Sequence, residues 1–348
     1  MIVASGYLKP WVAALNVLLA AEVALAAADV VGGLPLRKDV AGCVRRTYGY
    51  EMRGMVRLLF FWVGRSNVGG GKVALLDDCT SPAGEMVNGV ELLFGSFPER
   101  VPGGHNRWGF ARETALWNRG EPGDHPLRTE FEGFMTLSQE EDLDEVRKSS
   151  AQEENGRFEA TLSRVEGELA SAELRRFGAP ATVTFLEPEP TIRAYLARLE
   201  EPPDSEKRLA LEPGEPPWGF LTALRRLVDD AVEVSTAGGS LESLERRSLR
   251  YFYNGRRYTL VLKKAKLKSE FRLDSGLEFR DALGLDFETT NHASGKRHGF
   301  FLAVGTREPY RGVPLRIEDK PRWWLRVRLD LKPDAEPEPE TVQESEPA

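Results

Sequence analysis

The chain has only two cysteines and four histidines in 348 residues, which leaves little material for metal or redox chemistry. Cys43 and Cys79 alone exclude zinc ribbons and clustered thiolate sites on count. His105, His125, His292 and His298 have no Asp or Glu at ligand spacing, so exposed turn positions are their simplest reading; His292 and His298 flank Ser294-Gly295 and could face each other across a hairpin. Nucleotide loops are missing too. Gly69-Gly70-Gly71-Lys72 would need Gly at 66 and Ser or Thr at 73 to cradle phosphates, where the chain has Ser66 and Val73. Gly69-x-Gly71-x-x-Ala74 is followed only by Val73–Asp78, too short for the helix that a dinucleotide fingerprint opens, so a hairpin turn is the better account. Gly64-Arg65-Ser66-Asn67-Val68 lacks the closing glycine of a nucleophile elbow. A net charge of −7 argues against a dedicated nucleic-acid binder. No metal and no cofactor is expected.

One long apolar run is present, at the start. Trp11 to Val31 is almost wholly apolar, follows Lys9, and passes through Ala26-Ala27-Ala28, which has small residues where a signal peptidase reads. Residues 1–28 therefore read as a secretory signal, leaving 320 residues (348 minus 28) in a periplasmic or secreted domain with no membrane span. Glu22 interrupts the run, against a permanent span; an alanine-rich core helix is the competing reading. In an oxidising compartment Cys43 and Cys79 are candidates for one disulfide. Val40-Ala41-Gly42-Cys43 also has the local shape of a lipoprotein lipidation site, but Arg37-Lys38-Asp39 separates it from the apolar core. Two buried thiols are the third alternative.

Charged residues at 29% and hydrophobics at 41% suit an ordinary globular core. Charge is unevenly spread. Segment 129–170 holds twelve acidic and four basic residues, and segment 246–272 holds ten basic and one acidic.

From Tyr48 the pattern is that of strands. Tyr48, Tyr50 and Met52 alternate, Val56–Val63 is strongly β-prone, Gly64–Gly71 reads as a turn, and Lys72–Leu76 returns. Between 138 and 177 the sequence becomes charged and aromatic-poor. Ser138 with Glu141 resembles a capping box, and Phe158, Leu162, Val165, Leu169 and Leu174 fit one amphipathic helix, so a charged helical insertion or hinge is expected there, with a flexible linker as the rival. Ala181–Leu186 reads as a short strand and Pro190–Leu199 as a helix. Pro217 suits a helix N1 position, with Trp218, Leu221, Leu224, Val228 and Ala231 on one face, giving a helix over 217–232. Asn254-Gly255 between alternating tyrosines and leucines marks a hairpin. Leu325, Val327, Leu329 and Leu331 alternate with Arg326, Arg328, Asp330 and Lys332, as in a strand buried on one side. Residues 333–348 are acidic and proline-rich and read as disordered. The fold class expected is mainly β (α+β): a curved antiparallel sheet or half-barrel over residues 29–332, with one or two packing helices.

The Tyr50-Glu51 strand leading into Val63-Gly64, and the closing order Gly299–Val304, Gly312-Val313-Pro314-Leu315-Arg316-Ile317 and Trp323–Leu331, resemble a bacterial envelope family, domain-of-unknown-function family 3108. The likeness covers about half the chain. Segment 138–177 and Trp323-Trp324 depart from the pattern. The resemblance implies an extracytoplasmic antiparallel sheet curved like a half-barrel and implies no catalytic residues.

The expected function is non-enzymatic binding of an amphiphile or an envelope component. Phe60, Trp62, Leu260 and Trp324 are the candidate lining of the curved sheet, with Trp218 on the helix across its mouth. Lys264, Lys266 and Lys268 on one strand, with Arg326 and Arg328 on another, are a candidate cationic face for anionic lipid head groups; edge protection by lysine is the plainer account. Asp77-Asp78 reads as a solvated turn. The alternative function is an envelope hydrolase using His105 or His292 with a carboxylate. Tyr251, Phe252 and Tyr253 among basic residues would form a single-strand nucleic-acid platform only if the chain is not exported. The sequence specifies no oligomeric state.

Overall fold

Period-two alternation places successive side chains on opposite faces of a strand, and this chain carries it through a 15-stranded antiparallel sheet. The computed structural model describes residues 43–58, 61–81, 83–101, 106–118, 125–136, 156–180, 182–186, 189–322, 325–332 and 340–341. The strands are β1 (Val44–Leu58), β2 (Phe61–Thr80), β3 (Met86–Ser96), β4 (Trp108–Trp117), β5 (Arg128–Thr136), β6 (Arg157–Glu166), β7 (Leu169–Gly178), β8 (Ser205–Ala210), β9 (Ser248–Tyr253), β10 (Arg256–Arg272), β11 (Glu278–Asn291), β12 (Arg297–Val304), β13 (Pro314–Arg322), β14 (Leu325–Leu331) and β15 (Glu340–Thr341). Among the described residues two α-helices accompany them, α1 (Glu189–Ala197) and α2 (Phe220–Thr236). The mainly β class expected from the sequence is the class observed.

Spatial order runs β8-β7-β6-β5-β4-β3-β2-β1-β14-β13-β12-β11-β10-β9, with β15 beside the start of β1. Two meanders are thus joined at one long-range seam, where Tyr50 pairs with Leu331 and Val56 with Leu325. Helix α2 touches β3 and β4 and also β9 and β10. β4 and β9 stand nine places apart in this order, roughly 43 Å in a flat sheet, while a helix is only about 10–12 Å wide. The sheet therefore curls around α2. Bulges at Met52/Gly54, Leu76/Cys79 and Leu262/Lys264 add local twist to the same end.

The face toward α2 carries most of the core. Phe220 packs 5.2 Å from the Tyr251 ring and 6.2 Å from Phe300, and Tyr50 meets Phe94 edge-on at 6.1 Å. Full burial of one such ring contributes about 1.5–3 kcal/mol. On β4 and β5, Trp108, Phe110 and Phe134 alternate with Glu113 and Phe131 and so point to the other face, where α1 covers them. Tyr195 of α1 lies 5.2 Å from Phe134 and 5.8 Å from Trp108.

The two edge strands face each other without forming a ladder, so the sheet is not closed. Side chains bridge the gap instead. Lys207 of β8 donates to Asn254 Oδ1 at 3.0 Å, and Arg257 Nη2 reaches the Ala210 carbonyl at 3.4 Å. The connection from β8 to α2 fills the remainder: Leu211 N–H donates to the Glu168 carbonyl, and Phe252 N–H to the Trp218 carbonyl, both at 2.9 Å. Buried Glu215 accepts from Arg257 Nη2 at 2.7 Å in this strap.

Several sequence expectations are corrected here. Residues 157–177 form the β6–β7 hairpin and not a helix. Its buried positions are largely small (Ala160, Ala170, Ala172), so the larger Leu162, Val165 and Leu169 imitated a helical stripe. Gly167 at φ +57° makes its two-residue turn; residues 138–155 lie outside the described residues. Gly64–Gly71 is not a turn but the middle of β2. A Cβ at Gly69 would collide with Met52, and one at Gly71 with Phe94, so these glycines admit large cross-strand side chains. Thr182–Leu186 is irregular and not a strand; its Val183 carbonyl accepts from Trp108 Nε1 at 3.1 Å and from Asn106 Nδ2 at 2.6 Å. The helix expected over 217–232 starts at Phe220 and runs to Thr236. Within the acidic tail, Glu340–Thr341 pairs with Val44 and Arg45. The signal expected over 1–28 lies outside the described residues, among which no helix is long and apolar enough to cross a membrane.

Candidate ligand groove beside the enclosed helix

The first turn of α2 leaves backbone N–H groups without helical partners, and its N-cap, Gly219, has no side chain to satisfy them. Glu113 of β4 does so from across the interior. Its carboxylate accepts from Thr222 N–H at 2.7 Å and from the Thr222 hydroxyl at 2.8 Å, and from the N–H groups of Leu221 and Phe220. Gly219 is required by contact, because a Cβ there would strike the Glu113 carboxylate. Burial pushes the Glu113 carboxyl up to about 7, against the opposing pull of those donors.

One turn later Arg225 leaves α2 for the rim of the sheet. The bulge after Leu76, with Asp78 at φ +53°, frees carbonyls and turns Asp77 toward the helix. Arg225 Nη1 donates to the carbonyls of Leu76 and Gly89, each at 3.0 Å, and its Nη2 pairs with Asp77. Asp77 also accepts from Arg46 Nη2 at 2.9 Å. Burial opposes ionisation of Asp77, but Arg225 and Arg46 outweigh it and hold the carboxyl below its ordinary value. Cys79, at the end of the bulge, is joined to Cys43 by a disulfide with Cα atoms 4.1 Å apart, so one expected disulfide is the arrangement present. Asp77 is a paired anchor and not a solvated turn residue.

Between this rim and the helix lies an open groove of about 130 Å³. Met86, Asn88, Ala115 and Trp117 form its sheet side; Trp218, Arg225, Arg226 and Asp229 belong to the helix side. The two indoles meet edge-on at 5.6 Å and 68°. Arg226 Nε lies 3.3 Å from Asp230, which also pairs with Arg247 at 3.0 Å. Asp229 lies 3.6 Å from Arg225 Nε; burial chiefly raises its carboxyl, against the pull of Arg225. The groove has an aromatic wall beside a charged one, which suits holding one end of a molecule. It is well below the roughly 300–1,000 Å³ of pockets that enclose drug-sized ligands.

The residues singled out from sequence do not converge. Trp218 borders the groove, whereas Leu260 is wholly buried in the core under α2. The interior they were expected to line is filled by the helix. Trp62 lies on β2 opposite Arg57, and Phe60 and Trp324 lie outside the described residues. Lys264 and Lys266 are exposed on β10, and Lys268 sits over the rings of Phe271 and Phe301 at 5.0 and 5.3 Å. Arg326 lies 3.3 Å from Glu318, and Arg328 lies 3.1 Å from Asp274. β10 and β14 are four places apart, roughly 19 Å, and Asp286 and Glu318 occupy the row between Lys264 and Arg328. One continuous cationic face is therefore not formed.

His292 and His298 do not face each other: His292 Nε2 contacts Thr259 Oγ1 at 2.7 Å, and His298 Nε2 contacts buried Asp319 at 2.6 Å. His105 lies outside the described residues. Among the described residues no cluster of His, Cys, Asp or Glu could hold a metal ion. Sequence reading missed Glu113, Trp117 and Arg225. Glu113 had a visible signal, an acid between Ala111 and Ala115 on the inward side of a strand; Arg225 had none, because its partner Asp77 is 148 positions away.

No protein family and no curated protein matches this chain. Among solved structures, a beta-barrel-like protein of domain of unknown function DUF1849 from Brucella abortus matches 83% of this chain and 97% of its own length, at 11% identity and a TM-score of 0.37.

Proposed function

We propose that this protein is an extracytoplasmic, non-enzymatic β-rich protein, akin to domain-of-unknown-function family 3108, that binds an amphiphile or an envelope component at the groove beside α2. The observation that carries the reading is the two-sided lining of that groove, with indole walls at Trp117 and Trp218 and charged groups at Arg226 and Asp229. Such a lining fits a ligand that is apolar along its length and polar at one end. Because α2 fills the interior, the ligand is gripped at one end and not swallowed.

Two further features support the location. Disulfides persist in oxidising compartments, and Cys43 is bonded to Cys79. The sequence also begins with an apolar run of signal character. The test of binding is thermal shift and native mass of delipidated protein with phospholipids from a bacterial envelope. A complex with a raised Tm is expected; neither a mass change nor a shift would remove the reading. Intact mass of protein from its native cell tests the location, through loss of residues 1–28, a lipid on Cys43, or a disulfide.

A further inference from the structure

β10 outruns the strand beside it. β9 pairs with β10 only from Arg256 to Val261, and the backbone of Arg246 and Arg247 extends that contact to Leu262. Upstream of Arg246 the chain passes through a short 3-10 turn at Leu241–Leu244, which touches β10 and α2 and buries Leu244. From Lys263 to Glu270, β10 pairs with β11 alone among the described residues. This stretch, roughly 26 Å long, presents one unpaired row of backbone N–H and C=O groups.

Residues paired across a ladder share a face of the sheet. Ala265 and Leu267 stand opposite Leu285 and Leu283, both wholly buried, and so belong to the core side. Lys264 and Lys266 stand opposite Asp286 and Gly284 on the outer side. Leu267 is nonetheless 44% exposed. Lys266 has no acid opposite it, and neither Lys264 nor Lys266 makes an ion pair among the described residues. Lys263 lies 3.6 Å from Glu288, and Glu270 is the one acid on the stretch itself.

Lysines on an edge keep other chains from adding at random. They act by charge, and charge discriminates between partners. A second copy of this edge would set lysine against lysine. A strand carrying acids would be drawn to it instead. The exposed leucine has no protective effect; it offers an apolar contact on the core side of the same edge.

We propose that the edge of β10 from Lys263 to Glu270 accepts a strand from an acidic partner protein. The incoming segment alternates acidic and apolar residues, with acids against Lys264 and Lys266 and an apolar side chain beside Leu267. Main-chain hydrogen bonds supply the grip and the alternate side chains the selection. The inference is independent of the groove beside α2.

The test uses the full chain and three blocked peptides: eight residues alternating glutamate with valine, the same residues as two blocks, and eight alternating lysine with valine. Anisotropy of the labelled peptides gives affinity, and hydrogen exchange read by mass gives location. The alternating acidic peptide is expected to bind saturably and to slow exchange over residues 263–270. Lys264→Glu with Lys266→Glu is expected to weaken it about tenfold or more and to turn the preference toward the lysine peptide; a Tm matching the parent's shows that this variant folds. Equal binding of the block peptide overturns strand addition and leaves surface charge alone. No saturation by about 1 mM, protection confined to other strands, or unchanged affinity in the double variant overturns the site. Protection of 263–270 that grows with protein concentration in the absence of peptide assigns the edge to a second copy and overturns the acidic partner.

Discussion

The Glu113 carboxylate accepts both the backbone N–H and the hydroxyl of Thr222, so a strand of the sheet caps the helix that the sheet encloses. One buried acid thus ties the first turn of the helix to the wall, and Arg225 ties the next turn to the rim. The groove lies beside this joint, because Thr222 also borders it.

The acid makes stability depend on pH. Its folded value of about 7 lies above the ordinary 4.5, so between them the folded state holds more protons than the unfolded state. The contribution is fully present below about 4.5 and is lost as pH rises through about 7, a change on the order of 3 kcal/mol. Glu113→Gln, which cannot ionise, is expected to lack this slope. Urea unfolding of both proteins from pH 4.5 to 8 measures it; parallel curves would show that the carboxyl titrates normally.

Gly219→Ala tests the close approach. Its methyl group would meet the Glu113 carboxylate, and forcing extra volume into a packed site costs about 1–3 kcal/mol. A lower Tm is expected, with most of the loss recovered in the double variant Gly219→Ala, Glu113→Ala relative to Glu113→Ala alone. An unchanged Tm in the single variant would mean that the cap yields without cost.

Asp77 should shape the acid limb in the opposite sense. Its carboxyl is held below the ordinary 3.8 although burial works against it, because Arg225 and Arg46 prevail. Its contribution is present above the unfolded value and lost as pH falls through the folded one. Asp77→Asn is expected to be less stable than the parent at pH 6 and to converge with it near pH 2. Equal stabilities at pH 6 would mean that the two guanidinium contacts contribute nothing net.

The disulfide joins residues 36 positions apart. Chain-entropy reasoning assigns a loop of that length about 3–4 kcal/mol. Cys43→Ser with Cys79→Ser is expected to unfold at lower urea with a slightly steeper transition, because the unfolded chain without the cross-link exposes more surface; a midpoint equal to the parent's would place the constraint elsewhere.

Glu215 anchors the strap between the edge strands through Arg257 and Arg250. Glu215→Gln is expected to speed amide exchange of Phe252, whose N–H bonds from the edge strand β9 to the Trp218 carbonyl in the strap, while the Tyr50–Leu331 seam stays protected. Uniform exchange across both would show that the strap and the seam open together.

Local signals in this sequence carried local structure. Asn254-Gly255 sits at φ +49° and +64° in the turn its residue types demand, and Leu221, Val228 and Ala231 are buried on α2 as their spacing indicates. Residues 157–177 misled because alanines occupy inward positions, so hydrophobicity alone did not reveal the period of two. The glycines of 64–71 misled because a glycine permitting a turn and one admitting a cross-strand side chain look alike in one dimension. The groove was least legible. Trp218 was visible as an anchor, but its partner Trp117 and the Arg225–Asp77 pair depend on the curl that brings remote strands to one helix.

The β1–β14 pairing also orders events during synthesis. Tyr50 and its partner Leu331 are 281 residues apart (331 minus 50), whereas every other neighbouring strand pair on the main path follows directly in the chain. At about 5–20 residues per second, β1 leaves the ribosome roughly 14–56 s before the strand that covers its edge. Until then the first meander carries an open edge able to pair with other chains. A holding chaperone would therefore have the most to protect in nascent chains that end before residue 325.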